Sequence, residues 1–198
     1  MMLETKRLRL RPFRKSDWKD LVEGLNDLRV SKTLGLVGYP YRKKDAVEWI
    51  KHTNKEWKKK EITNYYFAME LKSEGRIIGA SDLFLVNRFA KTAKTGSWLA
   101  HDYHRKGLMT EAKIAIFDFA FNKLKLERLG TEAFEVNAAS NGMMKSLGYH
   151  YEGTLRRAIR AKSTGKYHDE HLYALFRKDW KKARPRIVKK IKERIKKE

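Results

Sequence analysis

A short segment at residues 103–112 combines residue types that can bind a phosphorylated ligand. It places Gly107 at the start of a predicted helix, with Arg105 and Lys106 before it and Thr110 after it. The N-terminus of a helix offers unpaired N–H groups and a partial positive charge, and glycine lets the backbone approach an anion closely. The segment therefore predicts a phosphate site, although a glycine before a helix is also a common ordinary turn.

A second polar segment follows the next predicted strand. Asn137 ends that strand, and Ser140 begins a short predicted helix that closes at Leu147, Gly148 and Tyr149. A helix, a strand and a second helix after a phosphate-binding turn suit a long cofactor that carries phosphate. Asn137 and Ser140 are therefore candidate site residues, while Ser140 also fits the alternative role of a helix N-cap.

Hydrophobic periodicity predicts the elements that must position these two segments. Strands are predicted at residues 7–11, 65–71, 76–86, 95–100, 128–136, 149–159 and 166–176. Helices are predicted after a cap at Ser16 and Asp17, and at residues 44–60, 107–124 and 140–147. This order predicts an α/β fold with one central mixed sheet flanked by helices.

The length of 198 residues predicts one domain, placed at residues 1–177, followed by a basic C-terminal helix or tail at residues 178–198. The tail carries a narrow apolar stripe formed by Ile187, Val188, Ile191 and Ile195. Such a stripe fits three arrangements, in which the helix packs on the domain, lies on a partner, or frays.

The chain is strongly basic, with a net charge of +22 and an isoelectric point near 10.1. Residues 177–198 alone hold 12 basic and 3 acidic residues. This charge predicts attraction to polyanions such as RNA, ribosomes or acidic proteins. The alternative is a solvated surface that only keeps the protein in solution.

The composition excludes several classes of function. The chain has no cysteine, which excludes disulfides, thiolate metal sites and a cysteine nucleophile. It has no apolar run long enough to predict a membrane-spanning helix, and its N-terminus lacks an apolar signal core, which predicts a cytoplasmic protein. His101 and His104 have no evident third ligand, so no metal site is predicted.

Several ordered motifs together resemble the GNAT acetyltransferase superfamily, and within it the RimJ/RimL type that acetylates the N-termini of ribosomal proteins. The resemblance covers residues 3–177 and is carried by residues 3–11, 104–109, 137–141, 145–149, 152–153 and 167–173. It implies a GNAT-like fold whose splayed strand pair holds acetyl-CoA, with no metal. The cofactor contacts that it implies come from Leu99, Ala100, His104, Arg105, Lys106, Gly107, Leu108, Met109, Thr110, Asn137 and Ser140.

The resemblance implies direct transfer of the acetyl group to an amine. The splayed strands correspond to residues 95–100 and 128–137, and main-chain N–H groups at the end of the first would polarise the thioester carbonyl. Asn137 would bind the pantetheine arm or order the site. Ser140 would protonate or position the leaving thiol, because Met144 stands where many GNAT enzymes carry a proton-donating tyrosine.

The resemblance leaves the general base open. Lys94 and Ile159 stand at two positions where family members carry a glutamate. The remaining candidates are Asp82, Glu135, Asp169, His171 or a chain of water molecules. An α-amine with a pKa of about 8 is roughly one-tenth neutral at pH 7, whereas a lysine amine with a pKa of about 10.4 is almost fully charged. A site without a strong base therefore favours an N-terminal amine.

The predicted acceptor is the N-terminal amine of a protein. The expected acceptor groove is flanked by Arg156, Arg157, Arg160 and Lys162. Their charge favours an acidic peptide or a protein docked on RNA over cationic small molecules, although it also fits a purely solubilising role. The alternatives are a lysine or small-molecule amine acetyltransferase, and a catalytically weak protein of this fold that binds RNA or the ribosome.

Overall fold

A single eight-stranded sheet forms the centre of the molecule, and the computed structural model describes residues 1–197. The strands lie in the order β1-β2-β3-β4-β5-β6-β8-β7, and among the described strands only β5 and β6 pair in parallel. Their bounds are Leu3–Glu4 (β1), Leu8–Arg11 (β2), Tyr65–Leu71 (β3), Arg76–Asn87 (β4), Thr92–Leu99 (β5), Arg128–Phe134 (β6), His150–Arg160 (β7) and Tyr167–Phe176 (β8). The predicted mixed α/β sheet is confirmed.

Helices cover both faces of this sheet. Their bounds are Trp18–Leu25 (α1), Leu28–Ser31 (α2), Lys43–Glu56 (α3), Leu108–Asp118 (α4), Ala138–Leu147 (α5) and Arg177–Ile195 (α6). Helix α4 continues as a wider turn over Phe119–Lys123, so the prediction at residues 107–124 covers both parts. Sequence periodicity does not reveal β1 and α2, because such short elements show no period. None of the described helices is long and apolar enough to cross a membrane.

Apolar side chains fill both faces of the sheet. On one face, Ala112 and Ile116 of α4 pack into a buried cluster that includes Phe67 of β3. On the other face, Leu21 of α1 and Ile50 of α3 belong to a second buried cluster. The sheet is therefore held between two apolar layers, which fix the strands that border the site.

Strands β5 and β6 separate along their length. Their parallel pairing ends at Lys94 and Gly130. Beyond that point β5 stays paired with β4 up to Leu99, whereas β6 pairs with β8 up to Phe134. The predicted splayed strand pair is confirmed. We call the opening between residues 95–99 of β5 and 131–134 of β6 the fork.

Helix α6 packs against α4 and α5. Trp180 is 2% exposed, meets the ring of Phe117 edge-on, and donates from Nε1 to Asp118 at 3.1 Å. Arg184 binds the same carboxylate at 2.7 Å, and Ile191 is buried further along the helix. Of the three arrangements that the sequence leaves open, packing on the domain is the one observed. The division into a domain at residues 1–177 and a C-terminal helix or tail at residues 178–198 stays a prediction.

Candidate active site

Side chains bridge the fork where main-chain pairing stops. One residue past the last pair, the Thr131 hydroxyl donates to the carbonyl oxygen of Thr95 at 2.9 Å. The Thr95 hydroxyl lies 3.1 Å from the hydroxyl of the buried Tyr149. The first bond satisfies a main-chain carbonyl that a continuous ladder would otherwise pair, and the second pairs two buried hydroxyls, so the strands separate without leaving these groups buried and unpaired.

Two main-chain N–H groups of β5 point into the fork. The N–H group of Ala100 donates to the carbonyl of Ile78 in β4 at 2.8 Å, and N–H groups alternate in direction along a strand. Ser97 and Leu99 therefore direct their N–H groups away from β4 and towards the separated β6. Of the two residues that the sequence argument named at the end of β5, Leu99 directs its N–H group into the fork, whereas the N–H group of Ala100 is already bonded to β4. Ser97, which the sequence argument did not name, is the second donor.

The turn from His104 to Gly107 joins the fork to α4. His104 Nε2 lies 2.9 Å from the Leu99 carbonyl oxygen, which fixes the turn to the end of β5. Arg105 and Gly107 have positive φ angles of 61° and 72°. The first hydrogen bond of the helix runs from the N–H group of Glu111 to the Gly107 carbonyl. The N–H groups of Leu108, Met109 and Thr110 therefore have no hydrogen-bond partner within the helix.

The side chains around this turn divide into two apolar ones that face the core and two cationic ones that face solvent. Leu108 is buried, and Met109 packs against the same apolar cluster beneath the turn. Arg105 and Lys106 are exposed, and the Lys106 ammonium lies 5.3 Å from the centre of the Tyr103 ring. The turn therefore combines N–H groups that are unpaired within the helix with two exposed cations, and this combination suits a phosphate group.

Gly107 also lies against helix α6, a contact that the sequence does not show. Its φ of 72° favours glycine. A Cβ atom at this position would lie 3.2 Å from Cδ1 of Ile191 and 3.2 Å from Cδ of Arg194. The sequence argument expects an anion to approach Gly107 closely. On this side of the turn, helix α6 is the group that approaches it.

Asn137 caps helix α5, and this corrects one alternative drawn from the sequence. The Asn137 Oδ1 atom accepts the N–H group of Ser140 at 3.1 Å. The N-cap role considered for Ser140 is therefore wrong, because Ser140 lies within the first turn. Its half-buried hydroxyl has no hydrogen-bond partner among the described residues, so it is open to a ligand.

Asn141 is a buried polar residue that the sequence argument missed. Its Nδ2 atom donates to the carbonyls of Phe134 and Glu135 at 3.0 Å and to that of Asn137 at 2.9 Å. Its Oδ1 atom accepts the Tyr173 hydroxyl at 2.9 Å. Asn141 thereby ties the end of β6 to α5 and β8. The available signal was a second asparagine one helical turn after the first.

Asp82 lies on β4, on the side of β5 away from the fork, and its carboxyl group has a strongly raised pKa. It stands directly opposite Gly96 of β5 and accepts the N–H group of Phe67 at 3.1 Å. Lys113 of α4 donates from Nζ to the Gly96 carbonyl at 3.1 Å. Burial raises the pKa of Asp82 to about 7, against the opposing effect of the Lys113 charge. Burial likewise lowers the pKa of Lys113 to about 8.

The other base candidates are engaged elsewhere or lie at the surface. Asp169 accepts the N–H group of Arg157 at 2.7 Å and so supports its positive φ of 47°. His171 Nδ1 lies 3.3 Å from Asn141 Oδ1, and its Nε2 lies 4.0 Å from the exposed Glu135 carboxylate. Asp82 is the candidate that combines a position directly opposite Gly96 of β5 with a pKa near neutrality.

The two positions where related enzymes carry a glutamate hold residues that support the fold. Lys94 forms an ion pair with Glu132 across the base of the fork. Ile159 packs over Gly35, where an added Cβ atom would lie only 2.2 Å from the Ile159 Cδ1 atom. A cation and an alkyl group cannot accept a proton, so neither position supplies the base.

The basic residues expected beside the acceptor groove lie on β7 and the turn after it. Arg156, Arg157 and Arg160 are exposed. Lys162 is exposed as well, and its N–H group donates to the carbonyl of Gly35 at 3.0 Å. The β7–β8 hairpin is therefore joined to the loop after α2, and its four basic side chains stay at the surface. We call these four side chains the basic rim.

Residues 7–150 match the family model described as the acetyltransferase (GNAT) domain. The chain belongs to the GNAT acetyltransferase family. The curated protein named "Probable N-acetyltransferase YjcK" from Bacillus subtilis (strain 168) is 34% identical over 58% of this chain. The matched segment spans 63% of the length of YjcK.

Solved structures share the fold over almost the whole chain. A ribosomal-protein-S5-alanine acetyltransferase from Vibrio fischeri has a TM-score of 0.73 at 20% identity, covering 91% of this chain and 98% of its own. The microcin C7 self-immunity acetyltransferase MccE, solved with acetyl-CoA and AMP, has a TM-score of 0.74 at 19% identity, covering 87% and 93%. At these identities the likeness establishes the fold.

Family membership places the chain among the acyltransferases, with acetyl-CoA as the family's acetyl donor. The residues of the turn fit this donor, because unpaired N–H groups and cations suit its phosphates. Within residues 1–197, no group of three or more histidine and acidic side chains is placed to hold a metal ion.

Proposed function

We propose that this chain transfers an acetyl group from acetyl-CoA to the N-terminal α-amino group of a protein in the cytoplasm. The observation that carries the proposal is Asp82, a carboxyl group on β4 directly opposite Gly96 of β5, whose pKa is raised to about 7. A general base is most effective when its pKa lies near the working pH. Such a base can deprotonate an amine of moderate basicity.

The basicity of Asp82 matches an α-amine better than a lysine amine. An α-ammonium group has a pKa of about 8, so moving its proton to a base of pKa about 7 costs about 1.4 kcal/mol. A lysine ammonium group has a pKa of about 10.4, and the same transfer costs about 4.6 kcal/mol. Lysine and small-molecule amines are therefore the second choice of acceptor.

The turn before α4 would bind the phosphate end of acetyl-CoA. The N–H groups of Leu108, Met109 and Thr110 would bond the pyrophosphate oxygens, with Arg105 and Lys106 adding charge. His104 supports this site indirectly, since its ring is bonded to the end of β5. Asn137 likewise acts by holding the first turn of α5, on which Ser140 sits.

The transfer would take place within the fork. The amine nitrogen attacks the thioester carbon, and the N–H groups of Ser97 and Leu99 stabilise the negative charge that develops on the carbonyl oxygen. The carbon–sulfur bond then breaks and coenzyme A leaves as a thiolate. Asp82 takes the proton of the α-ammonium group before the attack, and the second proton, which the nitrogen loses as the amide forms, passes to solvent. Ser140 donates its own proton to the thiolate and regains one from solvent.

The positive surface charge suits an acceptor that is acidic itself or is bound to a polyanion. The exposed face of α6 carries the cations Lys178, Lys181, Lys182, Arg186, Lys189, Lys190, Lys192 and Arg194. Together with the basic rim, these charges favour an acidic peptide, or a protein bound to RNA as in the ribosome. The Vibrio fischeri relative is named for acetylation of a ribosomal protein.

The acceptor class is tested with acetyl-CoA and three acceptors, read out by mass spectrometry. The first is a lysine-free peptide with a free N-terminus, the second has a blocked N-terminus and one internal lysine, and the third is a polyamine. We expect the first alone to gain acetyl groups at a substantial rate. Preferential acetylation of the second or third acceptor would reject the N-terminal amine as the substrate. Only the general N-acetyltransferase activity would then stand.

Ser140→Ala is expected to lower kcat by roughly ten- to one-hundredfold, because the leaving thiolate loses its proton donor. The KM for acetyl-CoA and the melting temperature should change little, since Asn137 supplies the helix cap. Ser146→Ala is the matched control, because Ser146 lies on the same helix and bonds only to the Met143 carbonyl. A loss of stability with unchanged kcat would assign Ser140 a structural role instead.

A further inference from the structure

Helix α6 reaches the proposed phosphate turn, although it lies outside the segment that matches the family model. We propose that Arg194 of this helix is a ligand for the phosphate groups of acetyl-CoA. The inference rests on the proposed placement of that cofactor at the Gly107 turn. It adds a residue from the C-terminal helix to a site otherwise built by β5 and α4.

The position of Arg194 follows from its contact with Gly107. An added Cβ atom on Gly107 would lie 3.2 Å from Cδ and 3.7 Å from Nε of Arg194. The start of its guanidinium group therefore lies beside the residue that caps α4. The unpaired N–H groups of the first turn of α4 begin at the next residue, Leu108.

The helix that carries Arg194 is fixed before any ligand binds. Trp180 and Arg184 both bond to Asp118 at the far end of α4. Ile191, one turn before Arg194, is 7% exposed and also meets Gly107. These contacts hold α6 alongside α4, so the backbone that carries Arg194 is already in place when an anion binds at this turn.

The Arg194 side chain has the chemistry and the freedom to bind phosphate. It is exposed, and no carboxylate pairs with it within residues 1–197. Its planar guanidinium offers paired N–H donors that match two phosphate oxygens. Two groups of acetyl-CoA offer such oxygens, the pyrophosphate and the 3′-phosphate. Both lie at the end of the cofactor that the turn would bind.

The test compares acetyl-CoA binding by the full-length wild type, Arg194→Gln and Arg186→Gln, measured by isothermal titration calorimetry. Arg186 is the matched control, because it is an exposed arginine on the same helix that makes no contact with Gly107. We expect Arg194→Gln to raise the Kd roughly tenfold, with Arg186→Gln close to wild type and equal melting temperatures in all three. Raised salt should weaken the wild type more than Arg194→Gln.

A second titration with 3′-dephospho-coenzyme A identifies the phosphate. An equal loss with both ligands assigns Arg194 to the pyrophosphate, and a loss confined to acetyl-CoA assigns it to the 3′-phosphate. Equal Kd values for Arg194→Gln and the wild type would overturn the inference while the proposed function stands. A wild type that binds neither ligand at millimolar concentration would overturn both.

Discussion

Asp82→Asn is expected to lower kcat for acetylation of a peptide N-terminus by about one-hundredfold or more. A positioned general base contributes typically about 10²- to 10⁴-fold, and an amide cannot take the proton. The asparagine keeps an oxygen that can accept the Phe67 N–H group, so the strand register should persist. Steady-state kinetics at pH 8 measure the loss, and the KM for acetyl-CoA should stay near that of the wild type.

The pH profile identifies the group that Asp82→Asn removes. Because Asp82 must be ionised to act, wild-type kcat should rise with pH and level off above its pKa of about 7. The variant should lack this rise. Glu135→Gln serves as the control, since Glu135 is the exposed carboxylate at the other side of the fork. An Asp82→Asn enzyme that keeps both its rate and the acidic limb would assign the base to another group.

Stability distinguishes a catalytic role of Asp82 from a structural one. Its folded-state pKa of about 7 lies above the value of about 3.9 for an unfolded chain. A carboxyl group with a raised pKa favours the fold below pH about 4, and this contribution is lost as the pH rises through about 7. Asp82→Asn should therefore be at least as stable as the wild type at pH 8 in chemical denaturation.

Elements with regular apolar periods follow directly from the sequence. The hairpin of β3 and β4 lies within one residue of its predicted bounds. Helix α3 ends at Glu56, before the predicted end at residue 60, because Trp57 turns back and donates from Nε1 to the Tyr66 carbonyl. That bond joins the helix end to a strand, and a local pattern cannot reveal it.

The site is predictable in outline, whereas its chemistry depends on contacts between distant segments. The motifs place Gly107 and Ser140 on the correct elements. The raised pKa of Asp82 requires the register that sets it opposite Gly96 and the burial that this position brings. The contact of Arg194 with Gly107 requires the docking of α6. Neither feature has a signature within one stretch of sequence.

Trp180→Ala is expected to lower the free energy of unfolding by about 3–5 kcal/mol, the usual effect of removing a buried aromatic side chain. Trp180 is 2% exposed, packs on Phe117 and bonds to Asp118. Its loss leaves a cavity between α4 and α6. Urea denaturation followed by circular dichroism measures the change, with Lys181→Ala, an exposed neighbour, as a control expected to stay within about 0.5 kcal/mol.

The same experiment tests whether residues 178–198 are a tail or part of the domain. If α6 folds with the domain, the wild type should unfold in one cooperative step and Trp180→Ala should shift that step to lower urea. The variant should then also bind acetyl-CoA more weakly, because an undocked helix no longer holds Arg194 beside Gly107. A change below about 1 kcal/mol, or a separate early transition of the helix, would make the C-terminal residues an appended unit.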